Sequence, residues 1–265
     1  MKIGCCMPGG LAETTFENML EADRLIMEAG FDYVEAGVGT LMSLTIDEVE
    51  QLSQLRKEGK LHLEACNGFI PADLKIAEGQ MLPQLREYVN EAMRRMQLLG
   101  VEVVVFGSGG ARRIPEGVSV ETANENIAKF LEMCDELGAI YDITVVIEPL
   151  NKMECNILNS VAEGGVLAQR VNKEHVKLLA DAYHMFKEDE PFSNITEYKE
   201  LLKHTHIAEV PERICPGKNG GEYLKDFAEV LKEAGYEARV SAECGFKDFR
   251  KEVKEAQLFM KKTFQ

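Results

Sequence analysis

Residues 134–149 read CDELGAIYDITVVIEP. The end of an apolar-striped helix is followed by a glycine suited to the left-handed turn that stops a helix. A run of β-branched side chains comes next, closed by Glu148 and Pro149. The same cadence recurs as LIMEAGFDYVEAG around Gly30, MQLLGVEVVVFGS around Gly100 and LKEAGYEARVSAEC around Gly235. Between these units the apolar spacing is helical. Thr14-Thr15-Phe16-Glu17 has capping-box spacing before Phe16, Met19, Leu20 and Ile26. Pro83 suits a first helical turn ahead of Leu85, Val89, Ala92, Met93 and Met96, and Thr122-Ala123-Asn124-Glu125 offers another start.

Strand candidates fall at 2–7, 33–36, 61–66, 101–106, 144–148, 176–180, 205–208 and 238–242, with helical patterns between most of them. Strict alternation predicts a parallel sheet with helices outside, and the count and length fit an α/β fold of the (β/α)8 TIM barrel type. An open doubly wound sheet is the competing architecture, but no GxGxxG follows the first strand. No linker or composition break appears, so a single domain over residues 1–265 is expected. The weakest helical stretch is Lys187 to Lys203, where Pro191 forces a late start.

The 265 residues are 45% apolar and 28% charged, enough for a large buried core, and the formal net charge is −15. That charge opposes a polyanionic partner, because nucleic-acid binders neutralise phosphates with a basic face. The start of the chain lacks the pattern of a secretory signal, and no apolar run is long enough to span a membrane. A soluble, cytoplasmic protein is expected. The seven cysteines are scattered without a CxxC pair, which reads as free thiols in a reducing compartment.

In such a barrel, reacting groups belong at the carboxyl ends of the strands. Four candidates lie there on strands five to eight: Glu148 in VVIEPLN, Asp181 in KLLADAYHM, His206 in HTHIAEV and Glu243 in RVSAECGF. Singly, each has an ordinary explanation as a cap, a surface charge or a packing residue. Together they would crowd like charges, a conflict that one divalent cation resolves. Three carboxylates and an imidazole suit Mn²⁺, Mg²⁺ or Co²⁺, with Zn²⁺ also accommodated.

On the segments Glu148-Pro149-Leu150-Asn151, Asp181-Ala182-Tyr183-His184-Met185, His204 to Glu209 and Ser241-Ala242-Glu243, the sequence resembles the xylose-isomerase-like TIM barrels. Within them it is similar to the ketose 3-epimerase and sugar-phosphate isomerase/epimerase group. The resemblance is specific over roughly residues 140 to 250. It implies that Glu148, Asp181, His206 and Glu243 are the metal ligands and that Glu148 and Glu243 are also the catalytic acid/base pair. It further implies that His184 binds a substrate hydroxyl and that Glu154 and Arg213 contact substrate. Arg213 lies one residue farther from His206 than in the family pattern. The segment from Cys66 and Asn67 to Pro71 lies where the family lines its pocket.

The expected activity is therefore a metal-dependent sugar isomerase or epimerase that works by proton transfer through a metal-stabilised enediolate. Two glutamates from different strands can stand on opposite faces of the reacting carbon. Alternatives on the same scaffold are a dehydratase or lyase of a polyol-derived ketose and a non-catalytic sugar-binding relative. An abasic-site endonuclease is disfavoured by the acidity and by the presence of only five histidines. A small-molecule sugar is the expected partner, with neither nucleic acid nor membrane, and a homo-oligomer is compatible. Glu35 and Glu64 read as strand-end solvation or caps rather than pocket lining. Gly107 to Arg113 reads as a flexible active-site loop rather than a phosphate cradle, and His62, His175 and His204 receive no role.

Overall fold

The computed structural model describes residues 1–8 and 15–265. Eight strands form a closed, all-parallel barrel in sequential order, with the last strand pairing the first. They are β1 (Lys2–Cys6), β2 (Tyr33–Gly37), β3 (Leu63–Asn67), β4 (Val103–Phe106), β5 (Thr144–Ile147), β6 (Val176–Asp181), β7 (Leu202–Ile207) and β8 (Arg239–Ala242). Each is buried on both faces, which explains why they read as Val/Ile/Leu runs rather than as clean alternations.

Around the barrel lie α1 (Phe16–Ala29), α2 (Val38–Ser43), α3 (Ile46–Lys57), α4 (Leu82–Leu99), α5 (Gly109–Arg112) and α6 (Val120–Tyr141). The second half carries α7 (Val161–Val171), α8 (Ala182–Lys187), α9 (Ser193–Glu197), α10 (Glu222–Glu233) and α11 (Phe249–Phe264). None of these helices is long and apolar enough to cross a membrane.

Alternation along the strands builds two separate cores. Tyr33, Ala65, Val103, Val105, Val146 and Leu179 fill the barrel interior, while their neighbours such as Val34, Cys66, Val104 and Leu178 face outward onto the helices. The Tyr33 ring fits because position 4 is glycine; a Cβ there would lie 2.2 Å from its Cζ. The amino-terminal rim is closed by charge. Arg239 donates to Glu64 and Glu102, Lys2 donates to Glu64, and the Arg239 guanidinium lies over the Tyr33 ring. Glu64 is therefore at the end of the barrel opposite the one a strand-end reading gives it.

Several local expectations shift. The glycine stops hold at Gly30 and Gly100, and at Gly235 just beyond α10, all with positive φ. Gly138 is instead inside α6, which runs on to Tyr141 and ends on Asp142 in the left-handed region. A Cβ at Gly138 would lie 2.6 Å from the Ile143 carbonyl oxygen, so the glycine is there for close helix–strand packing. Helix α6 is capped by Ser119, ahead of the expected Thr122. The start read at Thr14 falls outside the described residues, and α1 is capped by Thr15, whose side chain accepts from Asn18 N. A full capping box occurs at Thr45 and Glu48. Between Lys187 and β7 the chain forms only the short α9 and a 3-10 turn at Lys199–Leu201.

Candidate active site

Glu148 follows β5 directly, Asp181 ends β6, His206 is the penultimate residue of β7 and Glu243 follows β8. The register places Asp181 beside His206 and His206 beside Ser241 on adjacent strands, so consecutive strands deliver their polar groups to one level of the carboxyl-end mouth. Ligand atoms of Glu148, Asp181, His206 and Glu243 all lie within 4.8 Å of one another. Nδ1 of His206 is 3.1 Å from Glu148 Oε1 and 3.4 Å from Glu243 Oε2.

The Asp181 carboxylate is split in function. Oδ1 accepts from Tyr183 N at 2.7 Å, while Oδ2 is buried and has no hydrogen-bond partner among the described residues. A buried carboxylate oxygen without a hydrogen bond costs on the order of 1–3 kcal/mol or more, and His184 at 3.7 Å and Arg213 at 3.9 Å stand too far to supply one, so a cation held between the ligands suits this oxygen. Three carboxylates and one imidazole are a hard donor set with the chemistry that Mg²⁺, Mn²⁺ or Co²⁺ requires. The four residues fit a divalent ion.

The same crowding sets the carboxyls apart. Burial pushes the Glu148 pKa up, opposed by the His206 hydrogen bond and reinforced by the Glu243 charge. Burial also acts to raise Glu243, but the charges of His206 and Arg213 outweigh it and hold that carboxyl at about 2. For His206, burial disfavours the imidazolium, yet the Glu35 and Glu243 charges overcome this and lift its pKa well above the usual range.

The expected substrate residues divide. His184 is buried beside Asp181, with its Nδ1 3.2 Å from the backbone N of Asn151, which donates to it. Nε2 has no hydrogen-bond partner among the described residues and lies 3.7 Å from Asp181 Oδ2. Arg213, in the left-handed region at φ 58, places its guanidinium 2.5 Å from Glu243, 3.3 Å from Glu154 and 3.9 Å from Asp181. It also lies over the Tyr183 ring. Glu154 is held in turn by the Asn151 amide. Asn67 points inward and donates to Glu243 Oε1 at 3.2 Å. Cys66 does not join the site: one residue earlier on β3, it faces the opposite way and is fully buried in the outer core.

Three features escaped the sequence reading. Glu35, in the middle of β2, is fully buried and bonded to His204, His206 and Ser241 rather than solvated at a strand end. His204, given no role, is part of that interior network. Gly107 admits the Glu148 side chain, since a Cβ there would lie 2.1 Å from Oε2. The stretch from Gly107 to Arg113 is tied into the wall. Ser108 Oγ accepts from Ile70 N, and Arg112 is fully buried with Nη1 on the Phe106 carbonyl.

A family model described as xylose isomerase-like TIM barrel matches residues 24–263. The 3-dehydro-D-guloside 4-epimerase of Escherichia coli is 26% identical over 238 residues, covering 86% of this chain and 89% of that protein. The ketose 3-epimerase of Arthrobacter globiformis is 26% identical over 246 residues, with 91% and 82% covered. The crystal structure of D-psicose 3-epimerase with D-tagatose from Clostridium cellulolyticum superposes with a TM-score of 0.86 at 18% identity, covering 100% of both chains, a likeness of fold.

Proposed function

The chain belongs to the xylose isomerase-like TIM barrel family, and from that membership we propose that it is a divalent-metal-dependent epimerase of an unphosphorylated keto-sugar, inverting the carbinol carbon beside the ketone. The convergence of Glu148, Asp181, His206 and Glu243, with one Asp181 oxygen buried and without a hydrogen bond among the described residues, carries the reading. The names of the two relatives share a chemical logic: a 4-epimerase of a 3-dehydro sugar and a 3-epimerase of a ketose both act next to a carbonyl.

Glu148, Asp181, His206 and Glu243 would hold the ion. When bound, it supplies Lewis-acid stabilisation of the negative charge that develops as the carbon is deprotonated. The protein supplies the proton transfer. Glu148 and Glu243 come from strands five and eight, so one carboxylate can remove the proton from one face while the other returns a proton to the opposite face, inverting the centre. His184 offers its free ring nitrogen, and Glu154 its carboxylate, to substrate hydroxyls. Arg213 fixes Glu243 and Glu154 in position. Because that guanidinium is already committed to carboxylates at the mouth, the site favours a neutral sugar over a sugar phosphate.

The test is a panel of free ketoses, 3-keto-hexosides and ketose phosphates given to metal-loaded protein. Epimer formation is expected from the neutral keto-sugars. Glu148→Gln and Glu243→Gln should each lower kcat by about 10²- to 10⁴-fold while far-UV dichroism is retained. Unchanged turnover in both variants contradicts the base pair, loss of water in place of inversion contradicts the epimerase, and turnover of phosphates alone contradicts the substrate class.

A further inference from the structure

Behind the candidate ligands lies a buried carboxylate that the proposed chemistry does not use. Glu35 is 0% exposed inside the barrel, where an uncompensated charge would be expensive. It is compensated by donors. Oε1 is 2.9 Å from His206 Nε2, and Oε2 is 2.9 Å from His204 Nε2 and 2.6 Å from Ser241 Oγ.

Proton accounting fixes the direction of each bond. Three groups that can each donate surround the two Glu35 oxygens, and a carboxylate oxygen accepts, so His206 Nε2, His204 Nε2 and Ser241 Oγ are the donors. Ser241 has one proton and spends it on Glu35. Its other contact, Tyr33 Oη at 2.7 Å, must then be the donor in that pair. A directional chain results, from Tyr33 through Ser241 to Glu35 and on to His206, anchored at its start by the ring that packs against Gly4.

We infer that Glu35 is the positioning residue of the metal centre: by holding a proton on His206 Nε2 it leaves Nδ1, which faces Glu148 and Glu243, as the nitrogen that would give up its proton when an ion is bound between them. The inference rests on the metal-centre reading above. Outer-shell carboxylates of this kind fix the tautomer and ring orientation of a ligating histidine and raise its basicity. The competing role for the same group is ligation of a second ion, since Cys6, Glu35 and His206 also bring ligand atoms within 4.8 Å of one another. Hydrogen-bond accounting favours positioning, because the Nε2 that such an ion would need already donates to Glu35.

The experiment is a Co²⁺ titration, by competition with a chelating dye, of wild type, Glu35→Gln and Glu35→Leu, read beside ¹⁵N NMR of histidine-labelled, Zn²⁺-loaded wild type assigned with His206→Asn. The expected results are one ion per chain, a Co²⁺ dissociation constant about 10- to 100-fold higher in Glu35→Leu with a smaller loss in Glu35→Gln, and a His206 ring protonated at Nε2 with Nδ1 bare of hydrogen. A residue that merely packs the core would change the melting temperature without changing that ring's protonation or, beyond about twofold, the affinity. Affinity unchanged in Glu35→Leu, Nε2 bare in the wild type, or a second bound ion that Cys6→Ser removes would each overturn the positioning role while leaving the metal-centre reading in place. Wild type that binds no ion overturns both. Should the Glu35 variants fail to fold, the wild-type spectrum decides.

Discussion

Gly107 marks how little room the mouth leaves for error. A methyl group there would sit 2.1 Å from Glu148 Oε2, and the carboxylate would have to swing away from His206. Displacing a reacting group by about 1 Å can cost about 100-fold in rate. Gly107→Ala is therefore expected to lower kcat/KM by about 100-fold with little change in melting temperature; normal kinetics would show that Glu148 need not occupy this position. At this scale the four candidate ligands were legible, because each closes an apolar run and the fold collects strand ends. Glu35 was not, because nothing local tells an inward carboxylate from an outward one. Cys66 and Asn67 show the same limit: one step along β3 separates the outer core from the mouth, and of the two only Asn67 faces inward.

The units of helix and strand were read from glycines and apolar stripes, and Gly138 shows where that reading bends. Taken as a helix stop, it would favour glycine for its backbone angle. Inside α6 it serves contact instead, against the Ile143 carbonyl and the His175 side chain. Helix propensity alone makes alanine better by about 1 kcal/mol, whereas forcing a methyl group into a packed helix–strand contact costs about 1–3 kcal/mol. The overlap involves backbone, which cannot turn aside as a side chain can. Gly138→Ala should thus destabilise the protein by on the order of 1 kcal/mol in urea unfolding. A stabilised variant would mean that α6 can lift from β5 at no cost. The stretch around Pro191 yielded only α9 and a single turn, since the ten residues between Pro191 and β7 give too few backbone hydrogen bonds to sustain a long helix.

Across the whole molecule the barrel has two chemically different ends. The carboxyl end gathers the acidic cluster, and the amino end is sealed by Lys2 and Arg239 on Glu64 and Glu102. Burial alone would raise the Glu64 pKa, but hydrogen bonds from Lys2 and Arg239 outweigh it and lower the carboxyl below its ordinary 4.5. A lowered folded value means that Glu64 contributes stability above the unfolded value, and that this is lost as the pH falls through the folded one. Glu64→Gln should cost about 1–3 kcal/mol near neutral pH, and the difference from wild type should close as the pH falls below the ordinary carboxylate range. Thermal melts over that range check it; a gap that stays constant with pH would mean that Glu64 acts by packing alone. The alternation that predicted the closed barrel could not reveal this seal, because its charges meet only when strands far apart in the chain close into one ring.

The central claim is that one divalent ion and two opposed glutamates move a proton at a carbon beside a ketone. It is tested most directly by incubating chelator-treated protein with a ketose or 3-keto-hexoside in D₂O and following deuterium at the carbon beside the carbonyl by NMR, before and after Mn²⁺ or Co²⁺ is restored. The account predicts no exchange without the ion, incorporation together with inversion once it is restored, and none in Glu148→Gln or Glu243→Gln. Exchange that persists without the ion, or that survives unchanged in both variants, contradicts it.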